Sequence, residues 1–128
     1  MRYLAPVLAV IATPLAALPP LGEVAEIREG LITAGIVIEL DDKCDDVRLR
    51  TLRGLSFLNG LERRAEQLGY SGAEIDAYLD DDAEKDRLEG IARARLAEMG
   101  AVRGDAASHC AVAAREIAAG SVIGQLLR

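Results

Sequence analysis

Apolar residues recur at every third or fourth position along most of this chain, and this spacing constrains the fold more than any other feature of the sequence. One face of an α-helix has that spacing. Four stretches show it: Glu23–Leu40, Val47–Leu68, residues 71–100, and a last stretch that opens at Asp105 or Ser108 and ends at Gly120. We therefore predict an all-α fold, a small bundle of about four helices.

The kinds of apolar residue agree with a helical core. The chain has no Trp and one Phe, Phe57, so Ala, Leu, Ile and Val supply nearly all of its apolar side chains. β-Sandwiches depend more heavily on aromatic and β-branched residues in their strands. Residues 18–128 are enough for one domain and too few for two, and we predict a single helical domain over that range.

The sequence alone leaves two points of local secondary structure undecided. Gly35–Ile38 could form a short strand, but a helix is favoured because no other stretch offers that strand a partner. Ser71 and Glu74 have the spacing of a capping box, which marks the start of a helix. The stretch that begins there could form one long helix or two, with a break around Asp80–Asp82 or at Gly90.

The N-terminus is typical of a secretory signal peptide. Arg2 precedes the apolar run Tyr3–Leu18, which Pro6 and Pro14 interrupt and which is shorter than the roughly 20 residues that cross a bilayer core. We predict a signal peptide over residues 1–17, a periplasmic or secreted location, and no stable membrane anchor after cleavage. The alternative, a buried N-terminal helix, is disfavoured by the two prolines.

Export changes the interpretation of the two cysteines, Cys44 and Cys110, which are 66 positions apart. In an oxidising compartment they are expected to form a disulfide, and a loop of that size stabilises a fold by about 4 kcal/mol in the chain-entropy model. The alternative is a metal site formed by these cysteines and His109. It is disfavoured because their spacing is not that of a zinc site.

No set of residues in this sequence specifies a reaction. His109 is the only histidine, its neighbour Cys110 is predicted to be oxidised, and no Gly-x-Ser-x-Gly nucleophile elbow is present. We predict that His109 is a surface residue, that the protein is not an enzyme, and that it has no catalytic residue, no cofactor and no metal.

Acidic residues are grouped in two places. One group surrounds Cys44 and the other follows Ile75; they comprise Asp41, Asp42, Asp45 and Asp46, and Asp76, Asp80, Asp81, Asp82, Glu84 and Asp86. Such groups could bind calcium or supply a hydrolytic carboxylate pair, but neither has the spacing of a calcium loop. Solvated helix faces are favoured. The formal net charge of −6 argues against nucleic acid as a partner.

Five arginines occupy much of the remainder of the Val47–Leu68 stretch: Arg48, Arg50, Arg53, Arg63 and Arg64. We expect them to pair with the acidic groups or to remain solvated, and an anion site on that helix is the alternative.

Three segments, together with the paired cysteines, carry a resemblance to a known family: Gly69–Ile75 with the acidic stretch after it, Arg115–Ile117, and Gly120–Leu127. In these the chain resembles small exported alphaproteobacterial proteins classed as a domain of unknown function. The resemblance implies an accessory role at respiratory complex I, on its periplasmic side, and it implies no catalytic residue.

Together these features predict a non-enzymatic interaction or accessory protein with a protein partner. The apolar tail formed by Val122, Ile123, Leu126 and Leu127 is the predicted contact if it packs outward, and otherwise it covers the bundle. Two other classes stay open. One is an acidic module that binds a ligand or a cation, and the other is a carboxylate-dependent hydrolase.

Overall fold

The structure is a computed structural model that describes residues 9–11 and 17–128. The predicted signal peptide lies largely outside these residues. A 3₁₀ turn at Leu21–Glu23 leads into six α-helices: α1 (Ala25–Lys43), α2 (Thr51–Gln67), α3 (Gly72–Leu79), α4 (Asp82–Glu98), α5 (Ala106–Ala119) and α6 (Val122–Gln125). The all-α prediction is confirmed, with more helices than the four expected.

Helix α1 is the centre of the bundle, since it contacts α2, α4, α5 and α6. Its inner face carries Ile32, Ile36, Val37 and Leu40, which belong to one buried cluster with residues of α4, α5 and the tail. Gly35–Ile38 is therefore helical, as favoured. A smaller cluster joins the 3₁₀ turn to α1, α2 and α3, and its buried members are Leu21, Ile27, Ala65, Tyr70 and Ile75.

Helix α2 begins later than the apolar spacing indicates, because the residues before it are extended and pair with the C-terminus. The Arg48 backbone NH donates to Arg128 O at 2.8 Å, Arg128 NH donates to Arg48 O at 2.9 Å, and Arg50 NH donates to Leu126 O at 2.8 Å. Leu49 and Leu127 form an isolated antiparallel bridge. The tail thus lies beside residues 48–50 and closes the chain on itself.

The stretch 71–100 forms two helices. The capping box is confirmed at its start, where Ser71 Oγ accepts from the Glu74 backbone NH at 3.1 Å. The break falls at Asp80–Asp81 because Asp81 is extended (φ −76°, ψ 105°) and its side chain accepts from the Glu84 backbone NH, which caps α4. An aspartate that caps a second helix ends the first one.

The disulfide prediction is confirmed. Cys44 and Cys110 are bonded with their Cα atoms 5.1 Å apart, which ties the residue after α1 to the first half of α5. Cys44 is fully buried in the main core cluster.

Replacing both cysteines with alanine is expected to lower the free energy of unfolding by about 4 kcal/mol through the lost loop constraint. Denaturant titration of the wild type and of the C44A/C110A variant measures the difference. Dithiothreitol should destabilise the wild type and leave the variant unchanged. Equal midpoints for the oxidised wild type and the variant would contradict the expectation.

Gly124 lets α6 cross α5 at backbone contact distance. A Cβ at this position would overlap the Glu116 carbonyl and lie 2.7 Å from the Ile117 nitrogen. We expect Gly124→Ala to lower the free energy of unfolding by about 1–3 kcal/mol, the usual effect of overpacking.

Gly60→Ala is the matched control, because no atom lies closer than 4.0 Å to a Cβ there. Within α2 that change should raise stability by up to about 1 kcal/mol. Equal effects of the two alanines on the denaturation midpoint would show that the close approach at Gly124 is unimportant.

Candidate functional site

The predicted interaction tail packs inward. Leu126 is 6% exposed and Leu127 is 1% exposed, Ile123 is half-buried, and Val122 alone is mostly exposed, at 52%. Side chains of the neighbouring segment hold it there, since Arg50 Nε donates to Leu127 O at 2.9 Å. Leu126 and Leu127 are therefore core residues and are not available as a contact surface.

Helix α2 instead exposes apolar side chains. Leu52, Leu55 and Leu58 are 83%, 53% and 39% exposed, although their spacing predicted a buried face. We call these three residues the α2 leucine face. Three residues turn about 300° around a helix, which is about 60° short of a full turn. The row from Leu58 back to Leu52 therefore moves progressively away from the core side of α2, on which Ala65 is buried.

A small apolar pocket continues this face. Its volume is about 130 Å³, and Leu58 forms part of its wall together with Leu31, Leu61, Ile75 and Leu79. Cavities of about 150 Å³ hold a benzene molecule. The pocket is therefore large enough for one apolar side chain.

A polar cluster lies beside the pocket. The Tyr78 hydroxyl is buried and forms no hydrogen bond in the part of the chain that the structure describes. Burial raises the pKa of the Tyr78 phenol, and the negative charge of Glu84 raises it further. Arg87 holds the Glu84 pKa below its usual value through a hydrogen bond to Oε2 at 2.9 Å. Tyr78 is thus an uncharged wall of the pocket.

Three arginines, Arg48, Arg50 and Arg53, lie at the N-terminal end of α2. Arg48 Nη1 donates to the Asp45 carbonyl at 3.2 Å, and Arg53 Nη1 donates to the Gln125 carbonyl at 3.1 Å. Within residues 17–128, no carboxylate forms an ion pair with Arg48, Arg50 or Arg53, whereas Arg64 pairs with Glu26 at 2.8 Å. The expected pairing with the acidic groups is therefore not found for these three arginines.

Several of the clustered acids have structural contacts. Asp41 Oδ1 accepts from the Leu49 backbone NH at 2.8 Å, and Asp81 caps α4. Among the described residues, the one trio of potential ligands within 4.8 Å of one another is Cys44, Asp46 and Cys110. The disulfide removes both thiolates from that trio, so it is a poor metal site.

The prediction of a surface His109 is wrong, since this residue is 7% exposed. The chain turns back at 101–105, and His109 Nδ1 lies 2.9 Å from the Asp105 carbonyl oxygen. This contact is local, because Asp105 is the N-cap residue of α5 and lies four positions before His109, and it does not by itself indicate that the ring is buried.

His109 forms part of the wall of an open groove of about 760 Å³. We call it the His109 groove. The charged members of its lining are Glu39, Lys43, Arg93 and Arg103, and small residues of α4, namely Gly90, Ala94 and Ala97, line it as well.

The comparison with known families agrees with the resemblance in its coarse form. A model described as "Family of unknown function (DUF5333)" matches residues 19–128. The chain belongs to this family. Neither the curated proteins nor the solved structures provide a match.

Two surfaces of this family member can therefore contact other molecules. The α2 leucine face with its pocket is apolar and adjoins three arginines that form no ion pair within residues 17–128, whereas the His109 groove is polar and bounded by charges. Within the described residues, no helix is both long enough and apolar enough to cross a membrane.

Proposed function

We propose that this protein is exported and acts without catalysis, by binding a protein partner through the α2 leucine face. The observation that carries the proposal is the exposure of Leu52, Leu55 and Leu58 on successive turns of a folded helix. Adjacent exposed apolar side chains mark interaction sites in soluble proteins more often than isolated ones do.

The pocket next to Leu58 supports a specific contact. Binding energy at interfaces concentrates where an anchor side chain fills a dry pocket, and 130 Å³ of apolar space accepts one Leu, Ile or Phe. The surrounding leucines would then exclude water from that anchor.

The arginines indicate the chemistry of the partner. Arg48, Arg50 and Arg53 lie beside Leu52 in the chain, and no carboxylate within residues 17–128 forms an ion pair with them. A partner helix with an apolar face and acidic flanks complements both features. We propose such an acidic amphipathic helix as the occupant.

Two observations support export and a non-enzymatic role. The Cys44–Cys110 disulfide is compatible with an oxidising compartment, the location that the predicted signal peptide implies. Asp41, Asp81 and Glu84 are engaged in a backbone contact, a helix cap and an ion pair, which disfavours a hydrolytic role for those carboxylates. The family resemblance makes the periplasmic side of respiratory complex I the first partner to look for.

Replacing exposed leucines with acids tests the binding proposal. The L52D/L55D variant should retain the melting temperature of the wild type and lose partner capture by at least tenfold, about the loss of a hot-spot residue. Capture is measured by cross-linking in the native host, non-reducing purification and quantitative mass spectrometry. Raising the salt concentration should weaken the wild-type complex because the arginine contribution is screened.

Val102→Asp is the matched control, because Val102 is 57% exposed and lies outside the face. It should leave capture unchanged. Equal capture by the wild type and L52D/L55D would refute the α2 leucine face as the binding surface. A cross-linked partner segment that is basic or lacks an apolar face would refute the proposed occupant.

The export proposal has its own test. Protein recovered from the periplasmic or secreted fraction should begin at or near Leu18. A chain that begins there keeps Pro19, whose carbonyl accepts a hydrogen bond from the hydroxyl of Tyr70 in the smaller buried cluster. Recovery of chain that starts at Met1 with free thiols at Cys44 and Cys110 would contradict export.

A further inference from the structure

We propose that the His109 groove binds a small organic anion that also donates a hydrogen bond, of which hydroxy acids and amino acids are the simplest examples. This site lies apart from the α2 leucine face and does not depend on the proposed partner.

His109 supplies a directed acceptor. A backbone carbonyl can only accept, so the contact between Nδ1 and the Asp105 oxygen at 2.9 Å places the proton of the neutral ring on Nδ1. The Nε2 lone pair is then free. Nε2 forms no hydrogen bond to the described residues. Among those residues, the only side-chain polar atom that is both enclosed and without a hydrogen-bond partner is the Tyr78 hydroxyl. Nε2 is therefore not enclosed, and a ligand in the groove can reach it.

The burial of His109 fixes the direction of this acceptor. More than nine-tenths of the residue is buried, and the Nδ1 contact holds the ring in one orientation. A ligand hydroxyl or ammonium can donate a directed hydrogen bond to Nε2. Succinate and similar anions without such a donor cannot.

The charges around the groove favour an anionic ligand. Arg103 has no ion pair or side-chain hydrogen bond within residues 17–128, and Arg93 reaches Glu39 and Glu89 only at 3.7 Å. Lys43 contacts Asp42 at 3.0 Å. Arg103 is thus the one cationic side chain of the groove lining that has no carboxylate partner within residues 17–128, in a chain whose formal net charge is −6.

The shape of the groove fits a small molecule. Its volume of about 760 Å³ lies within the roughly 300–1,000 Å³ of ordinary ligand sites. On the α4 side the groove is lined by small residues, Gly90 and Ala94, which leave space for a ligand. A Cβ at Gly90 would meet no atom within 4 Å.

Malate, aspartate and succinate test the proposal, because they differ at one carbon by a hydroxyl, an ammonium or a hydrogen. Isothermal titration of the oxidised protein should show that malate or aspartate binds and that succinate binds about tenfold more weakly, the loss expected for one missing hydrogen bond. Binding of malate but not of aspartate assigns the hydroxy acids, and the reverse result assigns the amino acids.

Two variants separate the roles of the residues. His109→Asn keeps a donor near the Nδ1 position and removes Nε2, so it should abolish the preference over succinate, with folding checked by circular dichroism. Arg103→Gln should weaken all binding probes severalfold and keep the preference. Arg63→Gln, a change at an exposed arginine of α2, should change nothing.

Three outcomes would overturn the proposal. They are the absence of heat with every probe at millimolar concentration, equal affinity of the wild type for succinate and for the preferred probe, and an equal loss of affinity in Arg63→Gln and Arg103→Gln.

Discussion

The segment between α1 and α2 is held at both ends, and much of the fold depends on that constraint. Cys44 is bonded to Cys110 of α5, and six residues later Arg50 donates its backbone NH to Leu126 of the tail. The tail is itself held by the close crossing of α6 over α5 at Gly124. Because these contacts fix the point and direction at which α2 leaves the core, they also determine that its first leucines face outward.

Local sequence signals predicted the features that local interactions control. The capping box at Ser71 needs only residues three positions apart, and the disulfide follows once export is assumed. The apolar spacing identified helices but not their surroundings, since it cannot show whether a face meets the core. Leu52 and Leu127 illustrate this. The first was expected inside and is 83% exposed, and the second was a predicted contact and is 1% exposed.

The features that the sequence did not reveal depend on contacts between distant segments. Arg48 and Arg128 are 80 positions apart and pair through their backbones, so no side-chain pattern marks them as extended. His109 is buried, and its contact with the Asp105 carbonyl four residues earlier does not by itself indicate that burial. The sequence offered Asp80–Asp82 and Gly90 as alternative breaks, and the structure places the break at the first of these because Asp81 caps α4.

Helix α1 connects the two candidate surfaces. Ile27 and Leu31 line the apolar pocket, while Glu39 and Lys43, about two to four turns further along, line the His109 groove. Between them the inner face of α1 is packed against α4 and α5 through Ile32, Ile36 and Leu40. Coupling between the two surfaces would require a second arrangement of α1 that one of the ligands favours. If α1 keeps this packing, occupation of the groove and occupation of the leucine face should contribute independently to stability, and a measured coupling between them would show that α1 moves as a unit.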